Sequence, residues 1–236
     1  MDSKKISKIA KGVAQVVVLA ITVVCLCLSF NNVYYSFVYI DGESMSPTLK
    51  DKEYGFIDKH GFAIDSLKRF DIVCTYYPII YAGQSDYCYI DNDGYEVKCN
   101  FQDSEHKVIL SKTATYKVKR VVALPGEQFT LQQNSVTVRS KINETTWGEW
   151  KKYDLPYANL SSEKVNNEPI TLEKGEYWVI GDNWDGSTDC STLNQRIYRK
   201  NIQGVLVGIE GTCKIDTATG KAIEKHKYKM VKYFKR

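Results

Sequence analysis

Tyr116-Lys117-Val118-Lys119-Arg120-Val121-Val122-Ala123-Leu124-Pro125-Gly126-Glu127 is rich in β-branched residues and closed by Pro-Gly. Such a run reads as a β-strand ending in a turn. Strand alternation puts Lys119 on one face with Val121 and Ala123, and Arg120 on the other with Val118 and Val122. Either face can be the buried one, so alternation alone does not choose between the two cations. Outward from this run, further short strands are expected at Tyr54–Ile57, Asp71–Tyr76, Lys107–Leu110, Gln128–Leu131, Ser135–Arg139, Glu176–Ile180 and Val205–Ile209. Beyond the N-terminal segment no long stretch has helical periodicity. Many short strands at close spacing predict a mainly β, antiparallel barrel or sandwich.

The N-terminal segment is of another kind. Residues 1–11 form a leader with four lysines, and residues 12–30 carry no charge and are dominated by Val, Leu, Ile, Ala and Cys. A helix over 12–30 rises roughly 29 Å, close to the hydrocarbon thickness of about 30 Å. A single transmembrane anchor is expected there, and lysines ahead of it place the N-terminus in the cytoplasm and residues 31–236 outside. A cleavable leader fits the basic start as well. However, the apolar run exceeds the usual 7–15 residues or so, and Ser29-Phe30-Asn31-Asn32 lacks a small-x-small site. Tyr34, Tyr35, Phe37 and Tyr39 suit a membrane interface and equally the start of a first strand. Ser44 follows so closely that even an extended chain keeps it within about 50 Å of the anchor.

That serine lies in Tyr39-Ile40-Asp41-Gly42-Glu43-Ser44-Met45-Ser46-Pro47-Thr48-Leu49. Gly42 permits a tight turn, and Pro47 biases Ser46 toward an extended conformation. A serine hydroxyl needs a partner to take its proton. His60, His106 and His226 lie in a turn, a polar loop and a basic tail, so a Ser-His-Asp triad is possible but unmotivated. Lysine is the other base. A free lysine, with a pKa of about 10.4, is neutral in only about one molecule in 2,500 at pH 7. Burial lowers that pKa by as much as roughly 3–5 units and makes the amine usable. A third stretch, Gly181-Asp182-Asn183-Trp184-Asp185-Gly186-Ser187-Thr188-Asp189-Cys190-Ser191, is built of turn-forming residues, and its Ser187 could orient such an amine.

Ser44-Met45-Ser46-Pro47-Thr48-Leu49, Lys119-Arg120 with Leu124-Pro125-Gly126-Glu127, and Gly181-Asp182-Asn183 with Ser187 and Asp189 resemble three boxes of bacterial type I signal peptidases, in family order behind an anchor. Phe70-Asp71-Ile72-Val73 resembles a fourth, with Phe70 where the family usually has glycine. The resemblance implies an antiparallel β catalytic domain and a serine endopeptidase that removes signal peptides from exported preproteins. It assigns Ser44 as nucleophile and Lys119 as general base. Ser187 would hold the amine, Asp189 would support the loop, and Gly42 and Met45 are supporting residues of the first box. Gly42 lacks a side-chain hydroxyl, so a backbone-dominated oxyanion site is expected. The implied partners are signal peptides and the lipid bilayer, with no nucleic acid. Small apolar residues are expected one and three positions before the cut.

Two positions depart from the pattern. The family commonly has arginine two residues after the loop aspartate, here Ser191, and another after Gly-Asp-Asn, here Trp184. The usual brace of Asp189 is therefore not evident, and Arg196 or Arg199 could substitute. Segments of about 78–114 and 130–168 lie largely outside the resemblance and read as peripheral. Rival readings are a peptidase for a narrow set of pilin or conjugation precursors, and a tethered binding protein that has lost catalysis. A self-cleaving regulator is disfavoured by the anchor and by the lack of a DNA-binding helical domain.

The 236-residue chain carries a net charge of +4, with 32 basic and 28 acidic residues and seven cysteines. No Cys/His cluster has zinc-site spacing and no glycine-rich phosphate loop is present, so no metal or cofactor is expected. Cys25 and Cys27 read as apolar anchor residues. A two-residue Asp93-Gly94 turn would set Cys88 opposite Cys99, and a disulfide is expected there in an oxidising compartment. The basic tail from Lys221 reads as a solvated strand, with contact to anionic lipid as the alternative.

Overall fold

The computed structural model describes residues 3–75, 86–90, 96–100, 117–143, 145–155, 164–194, 196–216, 219 and 222–234; side chains are described outside 3–10, 27–33, 86–90 and 96–100. Two compact units divide the chain, Met1–Ser36 and Phe37–Arg236.

The first unit is helix α1 (Ser3–Tyr34), longer at both ends than the apolar run alone suggests. Its side chains from 11 to 26 are all exposed, Val16, Leu19 and Leu26 among them, and Tyr34 at its end is half-buried. Among the described residues no helix is long and apolar enough to cross a membrane. The segment expected as an anchor is helical throughout.

The second unit is built of antiparallel strands, as expected. In chain order they are β1 (Tyr35–Tyr39), β2 (Glu53–Asp58), β3 (Ile72–Thr75), β4 (Asp86–Ile90), β5 (Glu96–Asn100), β6 (Lys117–Ala123) and β7 (Glu127–Gln132). There follow β8 (Ser135–Ser140), β9 (Lys151–Asp154), β10 (Ile170–Thr171), β11 (Glu176–Ile180), β12 (Ile197–Tyr198), β13 (Ile202–Ile215) and β14 (Ala222–Tyr233). Two short helices, α2 (Gly61–Asp65) and α3 (Cys190–Leu193), punctuate them. The large sheet runs β1-β2-β13-β3-β6-β11-β12 with β14 on β13, and a second sheet runs β10-β7-β8-β9. The strand at Lys107–Leu110 falls outside the described residues.

Both faces of the large sheet are covered. All four residues of β3 are buried, and alternation sends Val73 into one apolar cluster and Ile72 and Cys74 into another. The first cluster joins Val121, Val179 and Ile180 to Phe129, Leu131, Val136 and Val138 of the second sheet. The second joins Val38, Met45, Leu49, Leu206 and Ile209. The chain passes between sheets at Leu124-Pro125-Gly126-Glu127. There the Glu127 amide donates to the Leu124 carbonyl (3.2 Å), and Gly126 has φ +77. Proline at the second and glycine at the third position are what a type II turn requires.

Strand β13 extends well beyond the expected Val205–Ile209 because its interruptions at Gly204, Gly208 and Gly211 are bulges in a strand paired on both sides, not ends. The Lys221 tail forms the mostly exposed β14. In the hairpin β4–β5 Cys88 pairs with Lys98 and Tyr87 with Cys99. The register is one residue off the one an Asp93-Gly94 turn would give. The side chains of Cys88 and Cys99 lie outside the described residues. Cys25, Cys74 and Cys213 are free thiols, and Cys190 Sγ accepts from the Val179 amide at 3.4 Å.

Candidate active site

The turn between β1 and β2 presents Ser44. Backbone bonds close its base, from the Ile40 amide to the Glu53 carbonyl (2.8 Å) and from the Lys52 amide to the Ile40 carbonyl (2.9 Å). Gly42 adopts φ +92, and its amide donates to Asp51 Oδ1 at 2.8 Å. Met45 and Leu49 are buried in the second apolar cluster and fix the turn from below. Met45 is therefore a packing anchor, and half-buried Ser44 is the residue the turn holds up.

Lys119 comes from β6, opposite Val73 of β3. It is only 2 % exposed, and its Nζ donates to Ser44 Oγ at 2.8 Å and to the Val118 carbonyl at 3.0 Å. Burial is the largest influence on the amine and brings its pKa from 10.5 down to about 8; Lys117 and Lys164 press the same way, Asp189 and Asp182 against it. An amine near neutrality at this distance can accept the serine proton. His60, one of the alternative bases, has its Nδ1 2.6 Å from Asp58 Oδ1.

Arg120, the other cation left open by strand alternation, is also buried and has a different task. Its Nε donates to Asp182 Oδ1 (2.7 Å), one terminal nitrogen to Asp182 Oδ2 (2.5 Å) and Thr48 Oγ1 (3.1 Å), and the other to the Phe70 carbonyl (2.9 Å). Thr48 itself donates to Asp182. The arginine ties the serine turn, β6 and the 181–191 loop together, and the bidentate geometry makes it a strong pair.

The 181–191 loop also docks directly on the Ser44 turn. The Asn183 amide donates to the Ser44 carbonyl and its side chain to the Glu43 carbonyl, both at 3.1 Å. A Cβ at Gly181 would stand 2.2 Å from Ser187 Oγ and 2.4 Å from the Ser44 carbonyl oxygen, so only glycine permits this approach. Trp184 is buried in the first apolar cluster and anchors the loop by packing. Ser187 is brought close: its buried hydroxyl has no hydrogen-bond partner among the described residues, and the Lys119 amine bonds to Ser44 and Val118.

Asp189 is fully buried and caps α3, its Oδ1 accepting from the Ser191 and Thr192 amides and its Oδ2 from the Gly181 amide at 3.0 Å. Its cationic partner is Lys164, 2.9 Å from Oδ2. The expectation of Arg196 or Arg199 is corrected: Arg196 pairs with Glu176 and Arg199 with Asp65. Lys164 lies in a segment read as outside the resemblance, and no local pattern marks it. Among the described residues no group of His, Cys, Asp and Glu is arranged to hold a metal.

A buried lysine against a serine hydroxyl, on an antiparallel β framework, is a serine-peptidase arrangement. The family model described as "Signal peptidase, peptidase S26" matches residues 13–222, and the chain belongs to that family. It is a serine endopeptidase, a hydrolase, and the resemblance to bacterial type I signal peptidases holds. Signal peptidase I P of Bacillus subtilis subsp. natto is 28% identical, with 70% of this chain and 71% of the relative covered. Signal peptidase I S of Bacillus subtilis strain 168 is 23% identical, covering 86% and 91%. The crystal structure of a signal peptidase I from Enterococcus faecalis V583 matches 60% of this chain and 97% of its own, with 16% identity and a TM-score of 0.34.

Proposed function

We propose that this chain is a membrane-bound signal peptidase I that removes N-terminal signal peptides from exported preproteins through a Ser44–Lys119 dyad. The observation that carries the reading is the 2.8 Å contact between the Ser44 hydroxyl and the buried Lys119 amine, whose pKa burial lowers to about 8. Lys119 Nζ takes the hydroxyl proton as Ser44 Oγ bonds to the scissile carbonyl carbon. Backbone N–H groups at or near Ser44 meet the oxyanion. The protonated amine then returns its proton to the leaving amine as the C–N bond breaks, and water, deprotonated by the same lysine, releases the acyl group. Asp189 supports the loop beside the dyad, and Ser187 fills the space against Gly181.

The apolar 12–30 stretch supports a single-pass anchor, with the N-terminus cytoplasmic and the catalytic domain on the outer side. No cofactor takes part in this scheme. A tethered binding module without catalysis would gain nothing from a buried lysine held near neutrality, since desolvating that cation only lowers stability.

The test is cleavage of a preprotein, with alanine one and three residues before the cut, by the full chain in liposomes. Ser44→Ala and Lys119→Ala are each expected to abolish processing, and wild-type cleavage by either variant overturns the mechanism. Cleavage restricted to pilin-type or conjugation precursors would replace the general substrate range by a narrow one.

A further inference from the structure

Lys164 is an unusual residue to find inside this domain. A lysine is almost never fully buried unless paired, yet Lys164 is 8 % exposed. Its amine donates to the Ser187 carbonyl at 2.6 Å and to Asp189 Oδ2 at 2.9 Å. The same Asp189 oxygen accepts from the amide of Gly181, whose neighbourhood includes the Ser44 carbonyl. A single ammonium group thus fixes both ends of the Ser187–Asp189 segment and neutralises the carboxylate facing the dyad. The Thr192 hydroxyl donates to the same Ser187 carbonyl at 3.1 Å, which ties α3 into the arrangement.

We propose that Lys164, supplied from outside the recognised boxes, is a positioning residue that screens Asp189 and so keeps Lys119 competent as a base. This rests on the reading of Lys119 as the general base. The charged groups around the Lys119 amine are Lys117 on its own strand, Asp182 and Asp189 on the loop, and Lys164. Asp182 is already engaged by Arg120. Asp189 has Lys164 as its salt-bridge partner at 2.9 Å. Removing the Lys164 charge leaves that carboxylate uncompensated, and an unscreened anion favours the protonated amine. The predicted consequence is an acid limb of kcat/KM displaced to higher pH.

The experiment uses the full chain in detergent micelles with a fluorogenic signal-peptide substrate. It compares wild type, Lys164→Met, Lys164→Arg and the Lys164→Met/Asp189→Asn double variant from pH 6 to 10. Lys164→Met is expected to move the acid limb up by about one pH unit, which at pH 7 is a loss of roughly tenfold. Lys164→Arg and the double variant are expected to return the limb to within about a third of a unit of wild type, because the first restores the charge and the second removes the unscreened anion. A purely structural lysine would lower kcat and leave the limb in place, and that result overturns the proposal. If Lys164→Met does not fold, the other two variants decide: limbs like wild type support the proposal, and a displaced limb in the double variant defeats it. An inactive Lys119→Ala with an unmoved limb in Lys164→Met removes only the role of Lys164. A fully active Lys119→Ala removes the base assignment and the proposal together.

Discussion

The Lys119 amine nitrogen stands 2.8 Å from the Ser44 hydroxyl oxygen, although 75 residues separate them in the chain. Lys119 is presented by a strand whose neighbours on both sides are buried, and Ser44 by a turn pinned beneath by Met45 and Leu49. Burial, rather than a neighbouring charge, is the main reason the amine lies near pH 8.

A rising pH profile follows. The base works only when unprotonated, so kcat/KM is expected to climb about tenfold per pH unit below about 8 and level off above it. Initial rates on a peptide substrate at saturating detergent check this. A flat profile between pH 6 and 8 would show that a different group takes the serine proton.

Stability also rises with pH, over a higher window. The native state holds the Lys119 proton less tightly than the unfolded chain, so the cost is full below about pH 8 and fades as pH rises toward 10.5. At about 1.4 kcal/mol per pH unit this cost is of the order of 3 kcal/mol. Lys119→Met keeps the length of the side chain without the charge. It is expected to lose activity and to gain stability of that order at pH 6–7, with the gain vanishing near pH 10.5. Urea unfolding at both ends of the range measures it, and a variant less stable at pH 6 would contradict the account.

Gly181→Ala tests the contact between the loop and the nucleophile turn. The added methyl collides with Ser187 Oγ and with the Ser44 carbonyl. Displacing the nucleophile by a fraction of an ångström to 1 Å costs on the order of 10²-fold. The expected outcome is a kcat/KM loss of that size, with folding retained by circular dichroism. Near-wild-type activity would mean that the approach is not needed for catalysis.

Phe70 adopts φ +72, in the left-handed region, at the position where the family usually has glycine. That conformation costs a residue with a Cβ roughly 1–2 kcal/mol, and the ring offsets it by packing on the first apolar cluster. Phe70→Gly loses the packing and relieves the strain; Phe70→Ala loses the packing and keeps the strain. The glycine variant is therefore expected to be the more stable of the two by about 1 kcal/mol, the reverse of the usual ranking. Thermal melts of both variants decide the order.

Most of the strands were legible because their residues alternate or run β-branched between turn signals, as in Tyr116–Glu127 and Glu176–Ile180. The short pairs β10 and β12 were not, since two residues such as Ile170-Thr171 carry no period. The paired state of the glycine-interrupted β13 escaped for a related reason: a bulge and a strand end look alike until a partner strand is present.

The sequence by itself determined the chemistry: a serine in a glycine- and proline-bounded turn, a lysine on a strand, and an Asp-rich loop, each a local pattern. Strand alternation treats Lys119 and Arg120 alike, and both are buried; the tertiary structure separates them by their partners, the Lys119 amine meeting Ser44 and the Arg120 guanidinium pairing with Asp182. It also decided that Asp189 is held by Lys164 rather than by an arginine near the loop. An ion pair formed across 25 residues leaves no local trace, since it depends on how the chain returns to the site rather than on its neighbours in the chain.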